Sequence, residues 1–353
     1  MSEDTGRNGL KKMTPQEAVQ RWLKRKRGDC REQTVSTYWY RLKLFVEWTE
    51  REGYGRMADL TAWDIDEYQL ARRAEGIEPV SLDNELKTLE AWLSWCATVG
   101  LVDDDLPDII ERPTLDDEDV SSDVMLEPER GETLLGWYRD GPEHGTRAHA
   151  LLEVEWTVGA RVGAIRSLDV RDFDGDRRTL DVEHRPNTDT ELKKGRNGER
   201  PVGLLPATAD AIRAYLDEYR LLLRDDHGRT PLFSSAQGRP TTGTLRDWTY
   251  LATVPCLHDP CPHGKERPTC EWTSYDRASN CPSSRSPHQV RTGSITWQLS
   301  RGVPVEVVAK RVNSSVETIR KHYDKEDPLR ELEERRRPHL GNLEIESEHH
   351  DHE

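Results

Sequence analysis

The chain has 353 residues, more than one ordinary domain needs and enough for two, each able to bury its own core. No apolar run approaches the roughly 20 residues of a membrane-spanning helix, and the opening MSEDTGRNGLKKM lacks the apolar stretch of a signal peptide, so a cytoplasmic location without a membrane partner is expected. A net charge of −15 weighs against nucleic acid as a partner, yet the acid sits mainly in 103–123 and 344–353 while base clusters in RWLKRKRGDCR and around Arg285 to Arg320, so DNA is not excluded.

From Thr14 to about Val102 the spacing predicts four successive amphipathic helices. The first opens on a capping box formed by Thr14 and Glu17. The second runs from about Thr34 to Glu52, with Tyr38, Leu42, Phe45 and Trp48 at helical spacing, and stops at Gly53. A third runs from Thr61 to Gly76, and a fourth from Ser81 to Thr98 with Leu86, Leu89, Leu93 and Cys96 on one side. Helical spacing already accounts for the aromatics as core residues. Residues 1–13 read as a tail and 14–102 as an all-helical bundle.

The acidic, proline-containing stretch 103–125 breaks both periodicity and composition, which marks a linker. Beyond it, 126–337 reads as an α+β domain, followed by an acidic tail at 338–353. Helices are expected at Pro128 to Arg139, Arg147 to Val158 and Ala207 to Leu223. Strands are expected at Thr179 to Glu183 and Pro201 to Leu205, joined across a connection whose Asn197-Gly198 is a hairpin signal.

Cleaving a phosphodiester without a metal ion takes a nucleophile, cations for the charge growing on the non-bridging oxygens, and an acid for the leaving oxygen. The second domain holds each residue type. Arg161 stands at a helix junction in TVGARVGAIRSLDVRDFD; His288 and Arg291, three apart in SPHQVR, share one helix face; Tyr323 lies in ETIRKHYDK. Taken singly, each is an ordinary surface, capping or packing residue, and only their order and spacing suggest chemistry.

That order resembles the tyrosine recombinase family. The run from Gly159 to Asp174 is similar to its first signature, G-x-R-x-x-E-x-x-x-L-x-x-x-D; His288-Gln289-Val290-Arg291 is similar to its H-x-x-R; and Tyr323 follows at the expected interval. The likeness covers nearly the whole chain and is greatest to phage-type integrases and Xer-like recombinases of halophilic archaea, a habitat that also suits an acidic chain in which Arg far outnumbers Lys. It implies a multidomain, mainly α fold: a four-helix, SAM-like core-binding bundle that clamps DNA, then an α+β catalytic domain of the DNA breaking-rejoining type. It further implies that Tyr323 attacks the scissile phosphate to give a 3′-phosphotyrosyl enzyme, that Arg161 and Arg291 clamp the phosphate, and that His288 assists proton transfer. A hairpin lysine, Lys193 in preference to Lys194, would protonate the leaving oxygen. Site-specific recombination, as integration and excision or as dimer resolution, needs double-stranded DNA as partner, self-association in a synaptic tetramer and a nucleoid-associated location, with no cofactor for catalysis.

Two positions depart from the family pattern. Ala164 replaces the Glu of the first signature, and Arg311-Val312-Asn313 replaces Leu-Gly-His, so Asn313 either donates a hydrogen bond to the phosphate or serves as a helix N-cap. These departures keep open a DNA-binding protein of this fold that has lost catalysis; a type IB topoisomerase is the other alternative. Within an apparent insertion at 255–282, Cys256, Cys261, Cys270 and Cys281 are expected to hold a structural zinc ion, with His258 or His263 able to replace one thiolate and unliganded buried thiols as the alternative.

Overall fold

The computed structural model describes residues 12–116 and 124–323, together with positions 332, 337 and 340. The expected tail up to residue 11, positions 117–123 and nearly all of the chain after Tyr323, including the expected acidic tail, lie outside the described residues. Two units are distinguished, 1–122 and 123–353.

Among its described residues, the first unit holds four α-helices: α1 (Pro15–Lys26), α2 (Glu32–Glu52), α3 (Ala62–Ala74) and α4 (Pro79–Thr98). Their ends are set by local chemistry. The Glu17 amide donates to Thr14 Oγ1 at 3.2 Å while the Glu17 carboxylate accepts from the Thr14 amide at 2.9 Å, and Thr61 and Asp64 repeat the device at α3. Gly53 closes α2 with φ 85°, a conformation that costs glycine nothing. Leu42, Phe45, Trp92 and Leu93 fill the core, where Phe45 meets Tyr68 edge-on at 5.0 Å. Each such burial contributes about 1.5–3 kcal/mol.

The expected linker begins later than its composition suggests. Leu106 is buried in the same core, and the Gln69 side chain donates to Ile109 O at 3.2 Å and accepts from the Glu111 amide at 2.8 Å. The acidic residues of this stretch interrupt the apolar pattern, but Leu106, Pro107, Ile109 and Ile110 still pack.

The described part of the second unit is built on α6 (Arg147–Val158), which is buried from His149 through Val158 and packs against α5 (Pro128–Asp140), α8 (Pro206–Ala214), α9 (Thr242–Ala252) and α10 (Pro287–Ser300). A short α7 (Val162–Ser167) follows α6. A three-stranded antiparallel sheet, β1 (Phe173–Asp174), β2 (Thr179–Val182) and β3 (Arg200–Gly203), pairs Leu180 with Val202 and Val182 with Arg200. Helices α11 (Val305–Val312) and α12 (Val316–His322) follow α10. Among the described residues no helix is long and apolar enough to cross a membrane.

The expected hairpin is present: β2 and β3 pair antiparallel across 183–199, and Gly195–Gly198 is a 3-10 turn inside that connection. One expectation about this unit needs correction. The helix expected to Leu223 stops earlier, passing through a π-helical turn at Tyr215–Tyr219. Arg220 then turns inward and donates twice to Pro231 O, at 3.0 and 2.9 Å, leaving Leu222 88% exposed in an irregular segment.

Candidate active site

Arg161 comes from a junction whose shape requires glycine. Gly159 caps α6 with φ 59°, and a Cβ there would stand 2.9 Å from Val312 Cγ1. This close approach brings α11 beside the end of α6. Arg161 is then the N-cap residue of α7, with extended backbone, and its Nη1 donates to Asn313 O at 3.0 Å.

Arg291 and His288 come from α10, whose start is fixed by a capping box between Ser286 and Gln289, the second residue of the His-Gln-Val-Arg motif. Gly293 lets this helix press on the chain at Leu126, since a Cβ there would overlap the Leu126 carbonyl at 1.9 Å. Arg291 is 1% exposed. Its Nη1 donates to Val312 O at 2.8 Å and also to Gly159 O, whereas Nε and Nη2 are buried with no partner. Burial, then the neighbouring Arg161 guanidinium, pushes its pKa down to about 10; Tyr323 opposes the fall. An interior cation carrying two unused donors is costly unless an anion completes the site.

His288 is exposed at the surface, yet the protein packed around its ring is the largest cause of a lowered pKa, followed by the charges of Arg291, Arg161 and Lys193. Its imidazole is thereby held toward the neutral form. Lys193 reaches this neighbourhood from the β2–β3 connection, its charge among those that act on His288. Tyr323 closes α12, its amide donating to Ile319 O at 2.8 Å, and its half-buried ring packs at the edge of the cluster formed by Ile295, Val308, Val312 and Ile319. The phenol lies near enough to Arg291 to raise its pKa by charge and by hydrogen bonding, though neither Nε nor Nη2 meets it in full hydrogen-bond geometry.

Asn313 is a helix C-cap, not an N-cap. It ends α11 in the left-handed region at φ 53°, which Asn tolerates better than most residues, while Ser315 caps α12 through the Thr318 amide. Its amide nitrogen faces the hairpin connection, 3.0 Å from where a Cβ on Gly198 would stand. Ala164, at the position where the family signature carries Glu, packs partly buried against the core of the unit.

Two arginines that the motifs do not flag complete the cationic group. Arg200, on β3, donates through Nε to Arg311 O at 2.6 Å and through Nη1 to Gly198 O at 2.9 Å. Burial, then Arg291, Arg161 and Arg311, pushes its pKa down to about 10. Arg311 donates to Thr157 O at 2.9 Å, Gln298 Oε1 at 3.1 Å and Gly203 O at 3.2 Å, tying α11 to α6, α10 and the sheet. Only the place of Arg311 at the head of Arg-Val-Asn offered a signal; nothing distinguishes Arg200 in sequence.

A second network braces the first signature. Asp169 accepts from Arg229 Nε and Nη2, both at 2.9 Å, and from Arg239, with Arg185 at 3.7 Å. Asp172 accepts from Arg185 at 2.8 and 2.6 Å.

Cys261, Cys270 and Cys281 each open a turn, their carbonyls accepting from the amide three residues on at 3.1, 3.2 and 3.0 Å. The thiols of Cys261 and Cys281 act on Cys256, whose pKa is raised first by burial. Among the described residues, however, no three His, Cys, Asp or Glu side chains are grouped to hold a metal ion, so the closed four-thiolate site expected from the spacing is not formed as such.

No protein-family model matches the chain, and no curated protein matches it. Solved structures do. A Tn1549 transposon integrase in complex with a circular intermediate DNA is 16% identical, covers 94% of this chain and 100% of its own, and superposes with a TM-score of 0.63. A lambda integrase dimer bound to a COC′ core site is 14% identical, covers 98% of this chain and 83% of its own, and has a TM-score of 0.58. The N-terminal domain of a phage integrase/site-specific recombinase from Haloarcula marismortui is 38% identical over 29% of this chain and 97% of that domain, with a TM-score of 0.28. The first two matches show that this chain has the fold of these integrases over nearly its full length.

Proposed function

We propose that the protein is a site-specific DNA recombinase that cuts and rejoins strands through a 3′-phosphotyrosine. The observation that carries this reading is Arg291: a buried guanidinium with two unpartnered nitrogens, beside Arg161 and Tyr323. Such a pocket suits one phosphate, gripped by planar forks that match its oxygens. In the proposed step the Tyr323 oxygen bonds to phosphorus as the bond to the 5′ oxygen breaks. The phenolic proton passes to the neutral imidazole of His288, and a proton from Lys193 goes to the departing oxygen. The phosphotyrosyl bond conserves the energy of the phosphodiester, so rejoining is the same step reversed. Asn313 is assigned a hydrogen bond to the phosphate from its side-chain amide.

Incubating the protein with a nicked duplex, from which the cleaved end diffuses away, tests this. A covalent protein–DNA adduct is expected, and none with Tyr323→Phe. An adduct that persists in Tyr323→Phe would overturn the nucleophile, and no adduct on any site tried would favour a protein that binds DNA without cutting it. Relaxation of supercoils at arbitrary sequences would favour a topoisomerase. Joining two duplexes calls for self-association on DNA, and the proposed assembly is a tetramer.

A structural zinc ion at Cys256, Cys261, Cys270 and Cys281 is also proposed. What supports it is four thiols in a stretch made of 3-10 turns, three of them opening a turn. The thiol side chains would have to swing together on the metal, and the ion would supply the cross-link that the insertion's sparse burial does not.

A further inference from the structure

We infer that Arg200 is a positioning residue that couples the connection carrying Lys193 to the chain segment leading to Tyr323. The inference rests on the strand-cleavage reading above. Arg200 holds both parts at once: its Nη1 donates to Gly198 O inside the 183–199 connection, and its Nε donates to Arg311 O at the end of α11.

The next two carbonyls along α11 are held in the same way. Val312 O accepts from Arg291 at 2.8 Å and Asn313 O from Arg161 at 3.0 Å. Three consecutive carbonyls at one helix C-terminus are thus held by three guanidinium groups from β3, α10 and the α6–α7 junction. The last carbonyls of a helix have no partner within it and carry its partial negative charge, so they are natural acceptors for cations. Arg161 and Arg291 belong to the proposed phosphate clamp. Arg200 takes the third place on the same terminus while spending its other donor on the hairpin connection.

Two further observations bear on its role. No carboxylate among the described residues pairs with Arg200, and Arg291, Arg161 and Arg311 all disfavour its charge. A guanidinium kept among like charges, bonded only to backbone, does not act as a surface ion pair. In addition, Gly198 and Asn313 approach so closely that a Cβ on Gly198 would crowd the Asn313 amide nitrogen. The Arg200 bridge therefore spans a real junction between the connection and α11, and through it the position of Lys193 follows the end of that helix.

Leaving-group chemistry provides the test. A thiol is a far stronger acid than an alcohol, so a scissile phosphate with sulfur in place of the bridging 5′ oxygen releases its leaving group without a donated proton. Single-turnover adduct formation would be measured on matched oxygen and sulfur duplexes. On oxygen, Lys193→Ala is expected to lose about 10²–10⁴-fold and Arg200→Ala about tenfold or more, as misplacement of a catalytic group does. On sulfur, both variants are expected to come close to the wild-type rate.

An Arg200→Ala protein that is wild-type on oxygen, or equally slow on both duplexes while Lys193→Ala is rescued, would overturn the inference and leave the recombinase reading intact. A wild-type protein that forms no adduct on either duplex would overturn that reading itself. Should Arg200→Ala fail to fold, Arg200→Lys carries the same comparison, because one amine cannot hold both carbonyls in the fork's geometry.

Discussion

Arg291 and Val312 are joined by a 2.8 Å hydrogen bond from guanidinium Nη1 to the last helical carbonyl of α11, while Nε and Nη2 are buried without a hydrogen-bond partner. The bond holds one corner of the fork before any ligand arrives. Arg291→Lys keeps one charge but cannot hold the two carbonyls and a phosphate together. We expect single-turnover cleavage to fall on the order of 10²–10³-fold, as when one preorganised donor is lost. A rate within tenfold of wild type would show that Arg291 is not a phosphate ligand.

If His288 is the base proposed above, its lowered pKa sets the pH profile of cleavage. Burial, then the charges of Arg291, Arg161 and Lys193, disfavours the imidazolium, so the neutral base persists to lower pH than a free histidine, whose pKa is about 6.5. Cleavage by the free enzyme is therefore expected to lose its base only below that value. Lys193→Met removes one of the opposing charges and should move the acid limb of kcat/KM upward in pH, besides lowering its plateau. An unmoved limb would show that Lys193 and His288 do not share a site.

Glu155 offers a separate test of how the core is built. It is 2% exposed, with Oε1 accepting from Thr249 at 2.8 Å and Oε2 unpartnered, and burial pushes its pKa up to about 8. The folded state therefore holds a proton that the unfolded chain, with a glutamate pKa of about 4.3, has already released. The sign follows: this group's contribution to stability is fully present below about pH 4.3 and is lost as pH rises through about 8. Glu155→Gln stays neutral, so urea unfolding should show it more stable relative to wild type at pH 9 than at pH 5. An offset that is the same at both values would contradict the assignment.

Asp169 gathers Arg229, Arg239 and Arg185 around one buried carboxylate. Removing it leaves the partly buried Arg229 without an acid, while Arg185 keeps Asp172 and Arg239 keeps Asp225, and Asp169→Ala is expected to destabilise the second unit by about 3–5 kcal/mol. The shift in denaturant midpoint would measure this; a loss below about 1 kcal/mol would mean that the arginines repair the network among themselves.

If the cysteine stretch takes zinc, protein purified without chelator should carry about one ion per chain, and Cys261→Ser and Cys281→Ser should each lower that content. Chelation should lower the melting temperature, because metal-binding free energy becomes folding free energy. Less than about half an equivalent per chain would remove the site.

The first unit is legible where a residue's own chemistry sets a boundary. Thr14 with Glu17 and Gly53 mark helix ends that need no distant partner, and the 3.6-residue spacing of Leu86, Leu89, Leu93 and Cys96 identifies a buried face without the structure. A signal that depends on a competing tertiary demand misleads: the helical pattern toward Leu223 yields where Arg220 turns inward to Pro231.

The amino-acid order alone determined which residue types the candidate site contains, because His288 and Arg291 share a helix turn and the spacing to Arg161 and Tyr323 can be read along the chain. It could not determine what those side chains spend their donors on. That Arg200, Arg291 and Arg161 take the successive carbonyls of Arg311, Val312 and Asn313 was decided by tertiary structure, which brings together groups up to 152 positions apart. The reason is physical: a helix terminus offers its unpaired carbonyls to whatever cation the fold places there, and a linear pattern carries no record of which one arrives.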